Sequence, residues 1–355
     1  MADNRLKDGA RTAGMTAGAF TYSGGRVEPG ESATFRYRVS ETYLGDPLRI
    51  PVSIHNGPAP GPTMVLTAAA HGDELNGIEV VREVALDWDL EALHGTLVML
   101  PVLNVPGFLA QQRYLPIYDR DLNRSFPGDP EGTGAKRMAD TIFRNFVEPA
   151  DLGLDFHTST RGRSNMLHVR GDMDDPDVKR LACAFGTEVV IDSTGASSSL
   201  RRAATEAGTT TITVEMGEAH RFQRPLIDRA LAGVESVFAE YGLVTGESVT
   251  WPGWRTVISS EEKTWLRAPS GGLVEMHVDR GDIVREGETI ATITNPFKTE
   301  RNTVEAPWDG LLVGALENPV VYPGNPLCHV VELDPETRTV AERVRADAPG
   351  PRQSS

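Results

Sequence analysis

The 355-residue chain carries 35 Lys plus Arg against 50 Asp plus Glu, a formal net charge of −15 at pH 7 that argues against a nucleic-acid partner. With 39 % hydrophobic and 24 % charged residues it has the composition of a soluble globular protein, long enough for two domains of roughly 150 residues. Cys183 and Cys328 are too few for a disulfide framework or a thiolate metal site, and no apolar run approaches the ~20 residues that span a bilayer, so a cytoplasmic protein without a membrane partner is expected.

Residues 1–30 are rich in Gly, Ala and Thr without periodicity and are expected to form a flexible leader. From Thr34 the pattern turns strand-like, through FRYRVS and LRIPVSIHNG, and after the break PAPGP the run TMVLTAAA reads as a buried strand of a parallel sheet. Ile78, Val81, Val84 and Ala85 are spaced as on a helix from about Gly77 to Asp87, and strand TLVMLPVLN follows. A stretch of about thirty residues rich in Pro, Gly, Asp and Arg comes next; loops of that length inside a domain are usually functional or disordered. Beyond it the chain predicts a helix near Gly134–Phe146, strand LGLDFHTS, helices near Asp177–Phe185 and Leu200–Ala207, strand TTITVEMG, and a long helix from about Pro225 to Tyr241.

This alternation predicts an α/β domain over residues 31–245, with a mostly parallel central sheet and helices on both faces. Short strands punctuated by Gly, Pro, Asp and Asn then predict a small all-β, barrel-sandwich-like domain over residues 256–335, and 336–355 read as a polar tail. Only five of the basic residues are lysines (Lys7, Lys136, Lys179, Lys263 and Lys298). That bias, with the acidic excess, fits either a halophilic cytoplasm, where self-repulsion is screened, or a GC-rich genome, and composition alone does not separate the two.

The strongest chemical signal is His71-Gly72-Asp73-Glu74, directly after TMVLTAAA, because ligands of open parallel sheets gather beyond the C-terminal ends of strands. His71 and Glu74 are about one helical turn apart, and His157 stands at the end of a later strand. Two His and one carboxylate, with a fourth position left for water, describe a catalytic Zn²⁺ site.

HGDELNG, DLNRSFPG, DFHTS and TVEMG occur in the order found in the succinylglutamate desuccinylase/aspartoacylase family, which the chain resembles over roughly residues 40–335. The resemblance includes the C-terminal β domain, through APWDG and NPVVYPG, and is closest to the branch in which an N-acetyl-diaminobutyrate deacetylase occurs. It implies a zinc carboxypeptidase-like fold and one Zn²⁺ held by His71, Glu74 and His157. The implied activity is removal of the acyl group from a small anionic N-acyl amino acid or related amide; the alternatives are a carboxypeptidase-like peptide hydrolase and a non-catalytic binding or assembly protein with this fold. By the same similarity Glu215 is the catalytic carboxylate, with Glu218 its nearby competitor; Arg113 stabilises the oxyanion, and Asn123 and Arg124 hold the substrate carboxylate. Arg120 is the alternative to Arg113. Asp155 either orients a zinc ligand or is structural.

Other features are plainer. His55, His94, His168, His220, His277 and His329 lack metal-like spacing, and there is no Gly-x-Ser-x-Gly elbow. Lys298 lies in TNPFKTE, without the context of a biotinyl or lipoyl carrier lysine, so the β domain is read as a cap over the cleft or as an assembly element that would make a homo-oligomer.

Overall fold

A computed structural model of the chain describes residues 17–116, 119–160, 162–246, 256–258 and 263–333. It begins with a hairpin, β1 (Phe20–Tyr22) and β2 (Gly25–Val27), so the expected leader is ordered over its last part. The reason is apolar cover: Phe20 and Val27 are buried, and Tyr22 stacks on Phe35 with 5.0 Å between ring centroids. Residues 1–16 lie outside the described residues.

The α/β region continues as β3 (Glu31–Glu41), β4 (Pro47–Asn56), β5 (Ala59–Ala68), α1 (Asn76–Leu86), β6 (His94–Leu100), α2 (Val105–Ala110) and α3 (Gly134–Ile142). After α3, a π-helical turn Phe143–Val147 leads to β7 (Leu152–Ser159), β8 (Arg163–Gly171), α4 (Pro176–Phe185), β9 (Val189–Asp192), α5 (Leu200–Ala207), β10 (Thr210–Glu218) and α6 (Arg224–Glu240). Local chemistry sets the helix ends. The Asp175 carboxylate caps α4 ahead of Pro176, the Ser199 hydroxyl caps α5, and Gly186 and Gly208 end these helices in the left-handed conformation.

In the central sheet β6, β5, β7 and β10 are consecutive parallel neighbours, while β4 pairs antiparallel with β6 on one side and β8 with β10 on the other. The parallel centre follows the sequence expectation. Strand β8 does not, because RSNMLHVRG mixes polar and apolar residues that the structure buries on both sides. Helices α1, α4 and α6 pack one face, through residues such as Val81, Leu181 and Phe238, and α3 and α5 pack the other, through Met138 and Leu200. Strand β7 is buried along its whole length, so its inward charges must be paired.

The C-terminal strands are β11 (Thr256–Ile258), β12 (Lys263–Arg267), β13 (Gly272–Met276), β14 (Ile283–Val284), β15 (Thr289–Thr294), β16 (Arg301–Glu305), β17 (Gly310–Leu316), β18 (Val320–Val321) and β19 (Pro326–Glu332). A separate four-stranded sheet runs β16-β15-β13-β18, as the all-β reading expects. The other layer, β12-β19-β17, is continuous with the central sheet, because β17 pairs antiparallel with β8. Among the described residues, no helix is long and apolar enough to cross a membrane; the tail from 334 lies outside them.

Candidate active site

Three neighbouring strands bring the predicted residues together. In the parallel register Thr67 and Ala68 of β5 face Asp155 and Phe156 of β7, and Val214 and Glu215 of β10 face Phe156 and His157. The segment His71–Glu74 follows β5 at the same end of the sheet. Its tight turn depends on Gly72: a Cβ there would lie 2.0 Å from the Gly107 carbonyl carbon, so only glycine lets α2 pack against it. On β10 the register shifts after Glu215, at Gly217 with φ +70°, and this irregularity ends the strand beside the cleft. Asn76 ties the start of α1 to this point, donating to the Met216 carbonyl at 3.1 Å.

Among the described residues, His71, Glu74 and His157 form a buried group able to hold a metal ion, with ligand atoms all within 4.8 Å of one another. Each imidazole turns Nδ1 toward Glu74, at 2.8 Å for His71 and 2.9 Å for His157. Each turns Nε2 toward another carboxylate: Asp121 Oδ1 at 3.1 Å from His71, and Asp155 Oδ2 at 2.9 Å from His157. Both ring nitrogens of each imidazole therefore face oxygens that can only accept, and a metal held by Nδ1 and Glu74 would leave the ring proton on Nε2, toward Asp121 and Asp155. Asn123 Nδ2 is also 3.3 Å from His157 Nε2; that contact is the longer one, and its amide is oriented by Leu200 N, which donates to Asn123 Oδ1 at 2.8 Å.

The residues fit a divalent metal on two grounds. First, His71 Nδ1 is buried and has no hydrogen-bond partner, although Glu74 Oε1 is only 2.8 Å away; the two atoms converge as co-ligands do. Second, the cluster is short of positive charge. Burial works against a charged His71, yet Glu74 and Asp121 outweigh it and raise its pKa. Burial likewise opposes charge on His157, and Asp155 and Glu74 overcome it by more. The fully buried Glu74 carboxyl is held far below the usual carboxylate range, burial being outweighed by the two imidazoles.

The cleft beside this cluster has a volume of about 410 Å³. Arg113, Asn123, Arg124 and Glu215 all line it, as do Arg163, Arg170, Arg201 and Trp265. Arg113 donates to Glu74 Oε1 at 2.9 Å, and Arg124 to the Asn123 carbonyl at 2.7 Å. Arg120 does not reach the cleft: it is exposed on the loop, where its backbone bridges to the buried Leu115. Glu218 also lies outside the lining, paired with Arg221 at 2.8 Å, whereas Glu215 Oε2 accepts from Asn165 at 3.0 Å within it. A larger apolar groove of about 590 Å³ between α2 and the start of β4 has no carboxylate or imidazole in its lining and shares no lining residue with this cleft.

Several residues here escape sequence reasoning. Asp121 was visible in DLNRSFPG, but only folding of the loop brings it to His71. Arg163, Arg170 and Asn165 belong to β8. Arg201, on α5, is 5 % exposed and gives one hydrogen bond, to the Ser193 carbonyl at 2.7 Å. Burial lowers its pKa to about 10, which leaves it charged at neutral pH. Trp265 comes from β12, with the Arg163 guanidinium 5.1 Å over one ring face and His329 stacked at 4.9 Å.

Comparisons with known proteins agree with this geometry. The family model of the succinylglutamate desuccinylase/aspartoacylase catalytic domain matches residues 60–241. The N-alpha-acetyl-L-2,4-diaminobutyric acid deacetylase of Halomonas elongata is 27 % identical over 77 % of this chain and 83 % of its own. A succinylglutamate desuccinylase structure from Silicibacter sp. TM1040 superposes with a TM-score of 0.76 at 25 % identity, covering 85 % of this chain and 95 % of that one. The succinylglutamate desuccinylase/aspartoacylase structure from Rhodobacter sphaeroides has the same coverage and identity, with a TM-score of 0.75. Half of the chain lies within the family's catalytic domain, and the chain belongs to the succinylglutamate desuccinylase/aspartoacylase family of amide-bond hydrolases.

Proposed function

We propose that the chain is a zinc-dependent hydrolase that removes the acyl group from a small N-acyl amino acid bearing a carboxylate. The observation that carries this reading is the convergence of His71, Glu74 and His157, each imidazole backed by its own carboxylate, at the floor of an arginine-lined cleft. A bound Zn²⁺ held by these three residues would polarise the scissile carbonyl and lower the pKa of a water molecule to about 7.

The chain's own residues supply the remainder. Glu215 takes a proton from the attacking water and passes it to the departing amine nitrogen, the one carboxylate of the lining besides Glu74. Arg113 is placed beside Glu74 to donate to the carbonyl oxygen as it becomes an oxyanion. Arg124, at the rim, and the buried amide of Asn123 meet the substrate carboxylate.

Charge supports the anionic substrate. Among the described residues, Arg124, Arg163 and Arg201 have no carboxylate within ion-pair distance, although all three line the cleft. A buried guanidinium without a counter-ion is costly unless a ligand provides one. The presence of Trp265 from β12 in the lining supports a small substrate over a polypeptide, since a C-terminal strand helps bound the cleft. β12 thus contributes one wall residue of the cleft, and the two free cysteines fit a reducing cytoplasm.

Zinc-loaded protein should release free amine from at least one of Nα-acetyl-L-2,4-diaminobutyrate, N-acetyl-L-aspartate and N-succinyl-L-glutamate. Cleavage of a tripeptide with none of the three hydrolysed would reverse the reading.

A further inference from the structure

Glu215 is held from the side by β8, its antiparallel neighbour. Asn165 Nδ2 donates to Glu215 Oε2 at 3.0 Å. Arg170 Nε makes an ion pair with Oε1 at 3.6 Å, beyond hydrogen-bonding distance, so Oε1 accepts no hydrogen bond from Arg170. Asn165 is 6 % exposed, and only its NH₂ can face a carboxylate, so its Oδ1 must point the other way.

What lies on that other side is β17. Gly314 is the register partner of Asn165 across the β8–β17 pairing, and a Cβ on Gly314 would stand 2.6 Å from Asn165 Oδ1. Real Cβ atoms are not found that close to a polar oxygen, so any side chain at 314 must push the amide away from its place. Gly314 does not have a positive φ, and its missing side chain is therefore explained by this close approach and not by backbone strain.

We propose that Asn165 is a positioning residue for Glu215, and that β17, bare of a side chain at Gly314, leaves the Asn165 amide the room to stand against it. This rests on Glu215 being the proton carrier. A glutamate side chain has three rotatable bonds, and a base that drifts by about an ångström can lose on the order of 10²-fold in rate. Asn165 ties down one of its two oxygens. The C-terminal strands then take part in catalysis through a contact that a cap alone would not need.

The test is a kinetic cycle on zinc-loaded protein with whichever of the three N-acyl amino acids is hydrolysed fastest. Asn165→Asp, which keeps the shape, and Asn165→Ala should each lower kcat by about 10- to 100-fold, with KM and bound zinc unchanged. Gly314→Ala should lower kcat in the same direction with intact zinc. In a Glu215→Gln background, adding Asn165→Ala should cost less than about twofold more, because the residue it orients is already disabled. Equal losses in both backgrounds, or a raised KM with unchanged kcat, overturn the inference. A low kcat in Glu215→Gln beside wild-type kcat in both Asn165 variants overturns it while leaving Glu215 as the base. Wild-type kcat in Glu215→Gln overturns the base assignment and the inference with it. If Asn165→Ala does not fold, the near-isosteric Asn165→Asp and Gly314→Ala decide the question by the same readings.

Discussion

Asp155→Asn puts the second carboxylate of the metal cluster to a sharp test. Asp155 is 1 % exposed and uses both oxygens as acceptors: Oδ1 takes the Thr67 hydroxyl at 2.7 Å, and Oδ2 faces His157 Nε2 at 2.9 Å. Asparagine has the same shape but a single acceptor oxygen, so it keeps the His157 contact only where the Thr67 hydroxyl turns to accept from its NH₂; with the hydroxyl still donating, one buried donor goes unmet, at a cost of roughly 1–3 kcal/mol. If the amide turns its NH₂ to His157, Nε2 must accept and the imidazole proton is driven to Nδ1, the atom that faces Glu74 and would bind the metal. Zinc affinity should then fall by about 10- to 100-fold, or about 1.4–2.8 kcal/mol, measured by competition with a chromophoric chelator. Thr67→Val removes the competing donor and lets the asparagine oxygen return to His157. The double variant should therefore bind zinc more tightly than Asp155→Asn alone. Equal zinc affinity in wild type and Asp155→Asn would refute the argument.

Three further outcomes follow from the site and its surroundings. Arg124→Ala should mainly raise KM, whereas Arg120→Ala should change neither KM nor kcat by more than about twofold, in keeping with its exposed position; steady-state kinetics on the two variants separates them. Glu215→Gln should retain stoichiometric zinc by elemental analysis while losing about 10²- to 10⁴-fold in kcat. His168 bears on pH stability. Burial, then the adjacent Arg170, hold its imidazole neutral well below the ordinary value of 6.5. The unfolded chain therefore binds a proton at this position that the folded chain does not, so its contribution is complete above pH 6.5 and is lost as pH falls below it. Urea unfolding of His168→Gln between pH 7.5 and 5 should show a shallower loss of stability than wild type; parallel slopes would contradict the assignment.

The parts of the site legible in the sequence are those carried by short local patterns at strand ends. HGDE follows an apolar strand, and DFHTS and TVEMG end two more, so the candidate metal ligands could be named from the residues, and Glu215 with the help of the family resemblance, without coordinates. Parallel register then does the rest, placing Glu215 beside His157. Residues whose role depends on long-range convergence were not legible. Asp121 reaches His71 across a separation of fifty residues in the chain. Asn165 and Arg170 belong to a strand whose mixed composition hides it, buried between β10 and β17. Arg120, offered by the family resemblance as the alternative to Arg113, stands exposed on the turn closed by the Leu115 bridge and outside the cleft lining. The expected boundary near residue 245 marks a change in composition, yet the sheet runs through it, because β8 offers an edge that β17 can pair.

The central claim is that His71, Glu74 and His157 hold the metal on which amide hydrolysis depends. Hydrolysis of the best N-acyl amino acid should be followed with protein stripped by chelator, and again after stepwise return of Zn²⁺. Activity should vanish on stripping and return in proportion to zinc, saturating at one equivalent per chain, and it should not return in His71→Ala. Full activity in the stripped protein, or full recovery in His71→Ala, would contradict the account.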